Sequence, residues 1–527
     1  MELNLLNWLL ALSPVIVVLI LMLGFRWGGS KAGATGWFVA VLVAALSFGA
    51  GPTVIGVSQV KGVLLTLDVL YIIWTALLLF HIADEAGAVR VIGEALPRLT
   101  PDRMMQGLLL GWLFASFLQG MGGFGVPVAV AAPLLVGMGF TPVEAVVMAC
   151  IGHGWAVNFG SLATSFQTLM AVTNLPGKVL APDAAIMLGI SSIGSGSIVA
   201  FITGRWRGLL RSLPAVLILS GVMGVTQYLL ATNGLWTLGA TGAAMAGMVV
   251  SVGVTRLPMY RSAAHNRPTA SNAGEAESPQ GPRRSIWVAL SAYLVLVVLA
   301  FGVNLIEPLS VILNSVQLTL PFSEVSTAYG WITPAENGRA ITVFAHPGAI
   351  LLYASIIAYV IYRRAGYYQP GAARRIWQKT VKGAVNSSLG IMAMVGMAVL
   401  MSHAGMTNLL AQGLSESVGK TFYPAVAPFI GALGAFITGS NNNSNVLFGA
   451  LQKRAAELLG LPVTVILGAQ TAGGSLGSVM APAKVIVGCS TVGLSDQEGV
   501  VMRPVLGYGL IPVAVVAVIA MIMVGMS

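Results

Sequence analysis

Long apolar runs follow one another almost without interruption at the start of the chain, at residues 5–25, 36–48, 63–82 and 104–118. Most approach the roughly 20 residues a helix needs to cross a hydrocarbon core about 30 Å thick. They are continuously apolar rather than alternating, which argues against the strands of a membrane barrel. Charge is too scarce for a water-facing surface: 8% of the 527 residues are Asp, Glu, Lys or Arg, against roughly 25% in soluble domains. The pattern predicts an all-α polytopic membrane protein with about twelve to fourteen membrane segments, some re-entrant. The chain begins Met1-Glu2 with no basic stretch before the first run, so that run reads as a retained span and not a cleavable signal.

The net charge of +10 is distributed as orientation, not as a nucleic-acid surface. Basic residues cluster between apolar runs: Arg205, Arg207 and Arg211; Arg256, Arg261 and Arg267; then Arg363, Arg364, Arg374, Arg375, Lys379 and Lys382. The positive-inside rule makes those loops cytoplasmic. Arg26 and Lys31 place the first loop inside too, which puts the N-terminus outside, and residues 307–339 then fall outside. Cys150 and Cys489 each sit in an apolar run with no metal-ligand spacing. They read as packing residues, and neither a metal nor a cofactor is implied.

One stretch is too polar to be embedded. Residues 262–285 contain Pro268, Pro279 and Pro282 among Ser, Asn, Gly, Glu and Arg, a composition expected of a flexible cytoplasmic linker. The halves on either side share an order of breaks. Phe117-Leu118-Gln119-Gly120 leads into a glycine turn, an apolar run and Pro142-Val143; Phe436-Ile437-Thr438-Gly439 leads into an Asn/Ser turn, a similar run and Pro462-Val463. Phe159-Gly160-Ser161-Leu162 is echoed by Leu476-Gly477-Ser478-Val479. Two related repeats are expected.

The breaks are the informative places, because lipid cannot satisfy unpaired backbone N–H and C=O groups. Gly120-Met121-Gly122-Gly123-Phe124-Gly125-Val126-Pro127 puts four glycines in six residues before a proline suited to a helix start. It is expected to be a hairpin tip whose N–H groups bind a carboxylate, with Gly122, Gly123, Phe124 and Gly125 at the substrate; small-residue helix packing is the plainer alternative. Thr438-Gly439-Ser440-Asn441-Asn442-Asn443-Ser444-Asn445 is the second tip. Its amides and hydroxyls offer donors and acceptors for an anion and a coupling ion, so Ser440, Asn441, Asn442, Asn443, Ser444 and Asn445 are candidate substrate ligands. Residues 153–161 and 471–478 read as unwound helices, adding Asn158, Ser161, Ser475 and Ser478.

Ionisable groups inside apolar runs complete the candidates. Lys484 has apolar neighbours on both sides; a buried ammonium needs a partner, and the substrate carboxylate is the attractive one. His153 could relay protons. Asp68 is a further proton-carrying candidate or the partner of a basic residue. Glu144, in Thr141-Pro142-Val143-Glu144, reads as part of a helix-capping box instead.

At the two breaks the sequence resembles the L-lactate permease family of bacterial membrane transporters. The likeness is densest in FLQGMGGFGVPVAVAAPLLVGMGFTP (residues 117–142) and TGSNNNSNVLFGALQ (residues 438–452), and continues through residues 473–494. It implies proton-coupled uptake of short 2-hydroxy monocarboxylates such as lactate and glycolate across the cell inner membrane. It also implies a scaffold, a mobile transport domain with paired re-entrant hairpins in two inverted repeats, an elevator motion and a homodimer. The expected division is residues 1–103 scaffold helices, 104–212 first transport repeat, 213–261 a helical hairpin, 262–285 linker, 286–384 scaffold helices with an external segment, and 385–527 second transport repeat. The chain departs from the family pattern at four places. Gln119 stands where the family has Glu, Asn441 where it has Asp, and His153-Gly154-Trp155 where it is closer to Asn-Thr-Ala. A lysine is expected at Ser478 but occurs six residues later, at Lys484. Gln119 is accordingly the third coupling-ion candidate.

Losing two carboxylates favours a more strongly anionic ligand, so a carrier for a sulfonate or dicarboxylate, sodium-coupled, is the competing reading. An intramembrane enzyme would need a catalytic constellation, and the sequence has no HExxH, nucleophile elbow or nucleotide loop. No catalytic residue is assigned.

Overall fold

The computed structural model describes residues 3–25, 27–123, 125–261, 285–338, 340–495 and 497–527. Phe124 and all of the expected linker but Ser285 lie outside the described residues. Twelve helices among the described residues are long and apolar enough to cross a membrane, the lower end of the expected count.

The chain opens with α1 (Leu5–Leu23), α2 (Gly29–Ser47) and the long α3 (Pro52–Glu85), followed by α4 (Ala88–Ala95). A helical hairpin comes next. Its first arm, α5 (Arg103–Gly122), is capped by Asp102, whose carboxylate accepts from the N–H groups of Met104 and Met105. The second arm is α6 (Val126–Gly137). Between them Gly123 and Gly125 adopt φ of +26° and +91°, a region that glycine alone enters freely. Thr141 and Glu144 then form the expected capping box at the start of α7 (Pro142–Gly152). The backbone is irregular from there to α8 (Thr164–Thr173).

Two helices, α9 (Gly177–Thr232, broken at Gly204 and Arg205) and α10 (Gly239–Val254), separate the first hairpin unit from α11 (Ile286–Leu305) and the short α12 (Glu307–Leu313). The expected external segment is a β-hairpin. Residues 317–318 pair with 341–342, 321–322 with 336–337, and 325–326 with 332–333, all antiparallel. Its tip turns through Gly330 at φ +81°, and Ala328 N–H donates to Gly49 O at the end of α2, 2.8 Å away. Helices α13 (Pro347–Arg364) and α14 (Ala372–His403) follow, and both pack on α3.

A second hairpin unit closes the chain. Helix α15 (Met406–Thr438) turns at Gly439 (φ +74°) into α16 (Asn441–Leu459); α17 (Val463–Ser478) then turns through residues 479–481 into α18 (Pro482–Thr491), and α19 (Glu498–Met526) ends the chain. The two units interlock: α16 packs on α8, and α6 packs on α18. Each hairpin's return arm therefore lies on the helix that follows the break in the other half.

Two expectations about unwinding need correction. The second tip is only Gly439-Ser440, because Asn441–Asn445 form the first turn of α16. Residues 471–478 are helical throughout; α17 gives way only after Ser478. Its glycines serve close approach to α15 instead. A Cβ on Gly473 would collide with Pro428 O, and one on Gly477 with Ala432 O. The small-residue reading weighed for the first tip is the one that holds for α17. At the first tip, Gly120 and Gly122 are likewise helical, and a Cβ on Gly120 would meet Thr241 of α10.

Candidate substrate site

The site is best built from the unwound stretch between α7 and α8, where the expectation of broken helix does hold. Ser161, Leu162 and Ala163 all have positive φ, at 46°, 57° and 63°. Three successive left-handed residues with side chains are unfavourable, and persist only where surrounding structure holds them. Two contacts hold them here. Gly160 fits against Gln119 of α5, where a Cβ would lie 2.7 Å from the Gln119 carbonyl oxygen; Gly123 at the first tip leaves no room for a Cβ beside Ser161 Oγ.

The left-handed turn starts α8 with no side-chain cap, and Ser440 likewise starts α16 without a side-chain cap. These two helix starts meet: Ser165 Oγ, in the first turn of α8, donates to Asn442 Oδ1, in the first turn of α16, at 2.5 Å. Two positive dipole ends converge there, one from each half of the chain, and in α8 the Phe166 N–H donates to Asn158 O at 3.3 Å.

Around that junction runs a buried amide and hydroxyl network. Asn445 Nδ2 donates to Ser165 O (3.0 Å) and Thr471 Oγ1 (2.8 Å), and the Thr471 hydroxyl donates to Asn158 Oδ1 (2.6 Å). Asn441 Nδ2 donates to Thr471 O at 3.2 Å and lies 3.5 Å from Asn158 Oδ1. The backbone N–H of Asn158 donates to Ser475 Oγ (3.0 Å), whose hydroxyl donates to Gly154 O (2.8 Å). Asn158, Asn445, Thr471 and Ser475 are fully buried. Three of the network's buried polar atoms have no partner among the described residues: Asn158 Nδ2, Asn441 Oδ1 and Asn445 Oδ1. Orphaned buried polar groups are destabilising unless something else satisfies them.

Lys484 enters the network from the other side. Its Nζ donates to Ser478 Oγ at 3.1 Å, and the Ser478 hydroxyl donates on to Ser475 O at 2.9 Å. No carboxylate pairs with Lys484 among the described residues, although it is 6% exposed. His153 is fully buried nearby; its Nδ1–H donates to Ala149 O at 2.6 Å and its Nε2 has no partner among the described residues.

The remaining candidates fall elsewhere. Gln119 is buried between the first tip and Gly160, with Oε1 unpartnered among the described residues. Gly122 packs on Phe80 and Gly125 faces Val487 of α18. Asn443 faces α2, near Gly29, and Ser444 bonds to Gly431 O and Gln470 inside the second hairpin unit. Asp68 stands apart from the network: His346 Nε2–H donates to its Oδ1 at 2.9 Å, while His346 Nδ1 accepts from Gly348 N–H and the ring stacks on Tyr71. Sequence reasoning passed over Thr471, Ser165 and His346. Thr471 lay within a singled-out stretch; nothing local marks the other two.

Comparison with known proteins settles the family. The L-lactate permease family model matches residues 7–527, nearly the entire chain. The chain belongs to the L-lactate permease family. Similar proteins include the L-lactate permease of Bacillus subtilis, 27% identical over 98% of this chain and 95% of that one. The L-lactate permease and the Glycolate permease GlcA of Escherichia coli are each 26% identical over the same shares. Among solved structures, the YdaH transporter of Alcanivorax borkumensis is 16% identical, with a TM-score of 0.46 over 86% of this chain and 85% of that one. As a member of a permease family, the chain is a multi-pass membrane transporter and not an enzyme.

Lys484 and Ser478 are brought together by the fold. The ammonium of Lys484 lies on the hydroxyl of Ser478, the position where a lysine was expected. The turn at residues 479–481 folds the first turn of α18 back beside the end of α17, so six residues along the chain become one hydrogen bond in space.

Proposed function

We propose that the protein is a secondary active transporter of small 2-hydroxy monocarboxylates, lactate and glycolate in type, working by proton symport in a bacterial inner membrane. The observation that carries this is the meeting of two helix starts without side-chain caps, one from each half, bridged by Ser165 and Asn442. The positive dipole end of a helix start suits a carboxylate. Asn158 Nδ2 offers a further donor, while Asn441 Oδ1 and Asn445 Oδ1 offer acceptors for a substrate hydroxyl or a coupling cation. Lys484, fixed by Ser478, supplies the countercharge. His153, buried with Nε2 unpartnered among the described residues, is the candidate proton-handling group in this core, and the amide oxygen of Gln119, likewise unpartnered there, is a candidate ligand for a coupling cation.

The interlocked hairpin units support two inverted repeats with re-entrant tips, moving as a transport domain against a scaffold of α1–α3, α11, α13 and α14. Such a motion, a homodimeric scaffold and an external N-terminus are parts of the same proposal. The competing substrate is a dianion or sulfonate, favoured by the absence of any carboxylate bonded into the network among the described residues.

The test is uptake of labelled L-lactate and glycolate into proteoliposomes, with and without an inward proton gradient. Gradient-driven accumulation is expected. If folded, inserted protein accumulates neither acid yet takes up a dicarboxylate or sulfonate, the monocarboxylate reading is wrong.

A further inference from the structure

Beneath the β-hairpin lies a chamber of about 470 Å³, walled by α3, α14, the end of α8 and the second half of α16. Its ionic groups are placed unevenly. Glu336 of the hairpin pairs with Lys61 and also accepts from Asn174 Nδ2 at 3.2 Å. Arg454 pairs with Glu457 at 3.1 Å and donates to Asn408 Oδ1 at 2.6 Å. Asp68 is held by His346, and His403 donates Nδ1–H to Val399 O. Every carboxylate lining the chamber is thus engaged. Lys453 differs: among the described residues its ammonium has one partner, the neutral Thr173 O at 2.9 Å, and no carboxylate. Lys453 sits on α16, eight residues from Asn445 of the buried network, about 12 Å along the helix.

We propose that this chamber is a capture site for small carboxylates, with Lys453 as its anion contact. The half-buried ammonium is the chamber's one cation without a carboxylate partner among the described residues, and low-dielectric walls concentrate its field. A small anion drawn in from bulk meets Lys453 first and then has one helix, α16, leading to Asn445 and Asn441. Only the identity of the carboxylate rests on the transport reading; the existence of the capture site does not.

Both native cysteines are fully buried, so Ser402→Cys on the chamber wall gives a single reactive thiol in the full-length protein. The measurement is its modification rate by an anionic and a cationic methanethiosulfonate reagent, each normalised to a free thiol. The anionic reagent is expected to be favoured about tenfold at low salt, less at high salt, with L-lactate slowing the reaction. Lys453→Gln removes the preference and Lys453→Arg keeps it. Equal rates for both reagents, or a preference untouched by Lys453→Gln, overturns the proposal and leaves Lys453 as a clamp on Thr173. Uptake by the Ser402→Cys protein separates the two readings. An intact preference without lactate uptake defeats the substrate assignment alone, and lactate uptake with no preference defeats the capture site alone.

Discussion

Replacing Lys484 with methionine should separate stability from function. The residue is 6% exposed, and among the described residues its ammonium has one hydrogen bond, to a neutral hydroxyl, Ser478 Oγ. Removing a charge from such surroundings relieves a desolvation penalty of roughly several kcal/mol, set against one charged hydrogen bond of about 1.5–3 kcal/mol. Methionine has nearly the same length and reach, so packing against α7 is kept. The Lys484→Met protein should therefore melt at the wild-type temperature or above it. Substrate affinity behaves oppositely: loss of an ammonium–carboxylate contact of about 1.5–3 kcal/mol raises the KM for uptake about 10- to 150-fold. Thermal unfolding in detergent and initial uptake rates over a substrate series read both quantities. Moving the charge back, with Ser478→Lys and Lys484→Ser together, should restore most of the affinity. Marked destabilisation of Lys484→Met with near-normal KM would refute the reasoning and make Lys484 a structural residue.

Two further substitutions probe the amide network. Gly474→Ala brings a Cβ into collision with Asn441 Oδ1; Asn441 must move, and its bonds to Thr471 go with it. A stability loss of about 1–3 kcal/mol is expected, together with a fall in uptake of about 100-fold from misplaced ligands, measured by unfolding and transport on one preparation. Asn441→Asp puts a carboxylate where Asn158 Oδ1 is already 3.5 Å away. Its charged form repels an anionic substrate, so uptake should become steeply favoured at acidic pH. A pH profile identical to wild type would count against Asn441 at the site.

How far the sequence reached can be judged residue by residue. Apolar run length gave the membrane class, because a helix rises a fixed distance per residue against a core of fixed thickness. Gly123, Gly125 and Gly439 marked the tips, since positive φ is cheap only for glycine. Thr141, Pro142 and Glu144 marked a helix start, because all the capping atoms lie within four residues. In α17 the same reasoning misled. A glycine that permits unwinding and one that permits close packing look identical until the neighbour is known, and Pro428 and Ala432 lie more than forty residues away.

Tertiary structure alone decided what meets at the site. Ser165 and Asn442 are 277 residues apart, Thr471 and Asn158 are 313 apart, and Asp68 and His346 are 278 apart. Hydrogen bonding acts over a few ångströms of space and is blind to separation along the chain. The sequence by itself thus determined the membrane class, the family and the places where helices stop. Only the interlocking of the two hairpin units decided which stopped ends face each other, which amides are left unsatisfied, and that Lys484 meets Ser478.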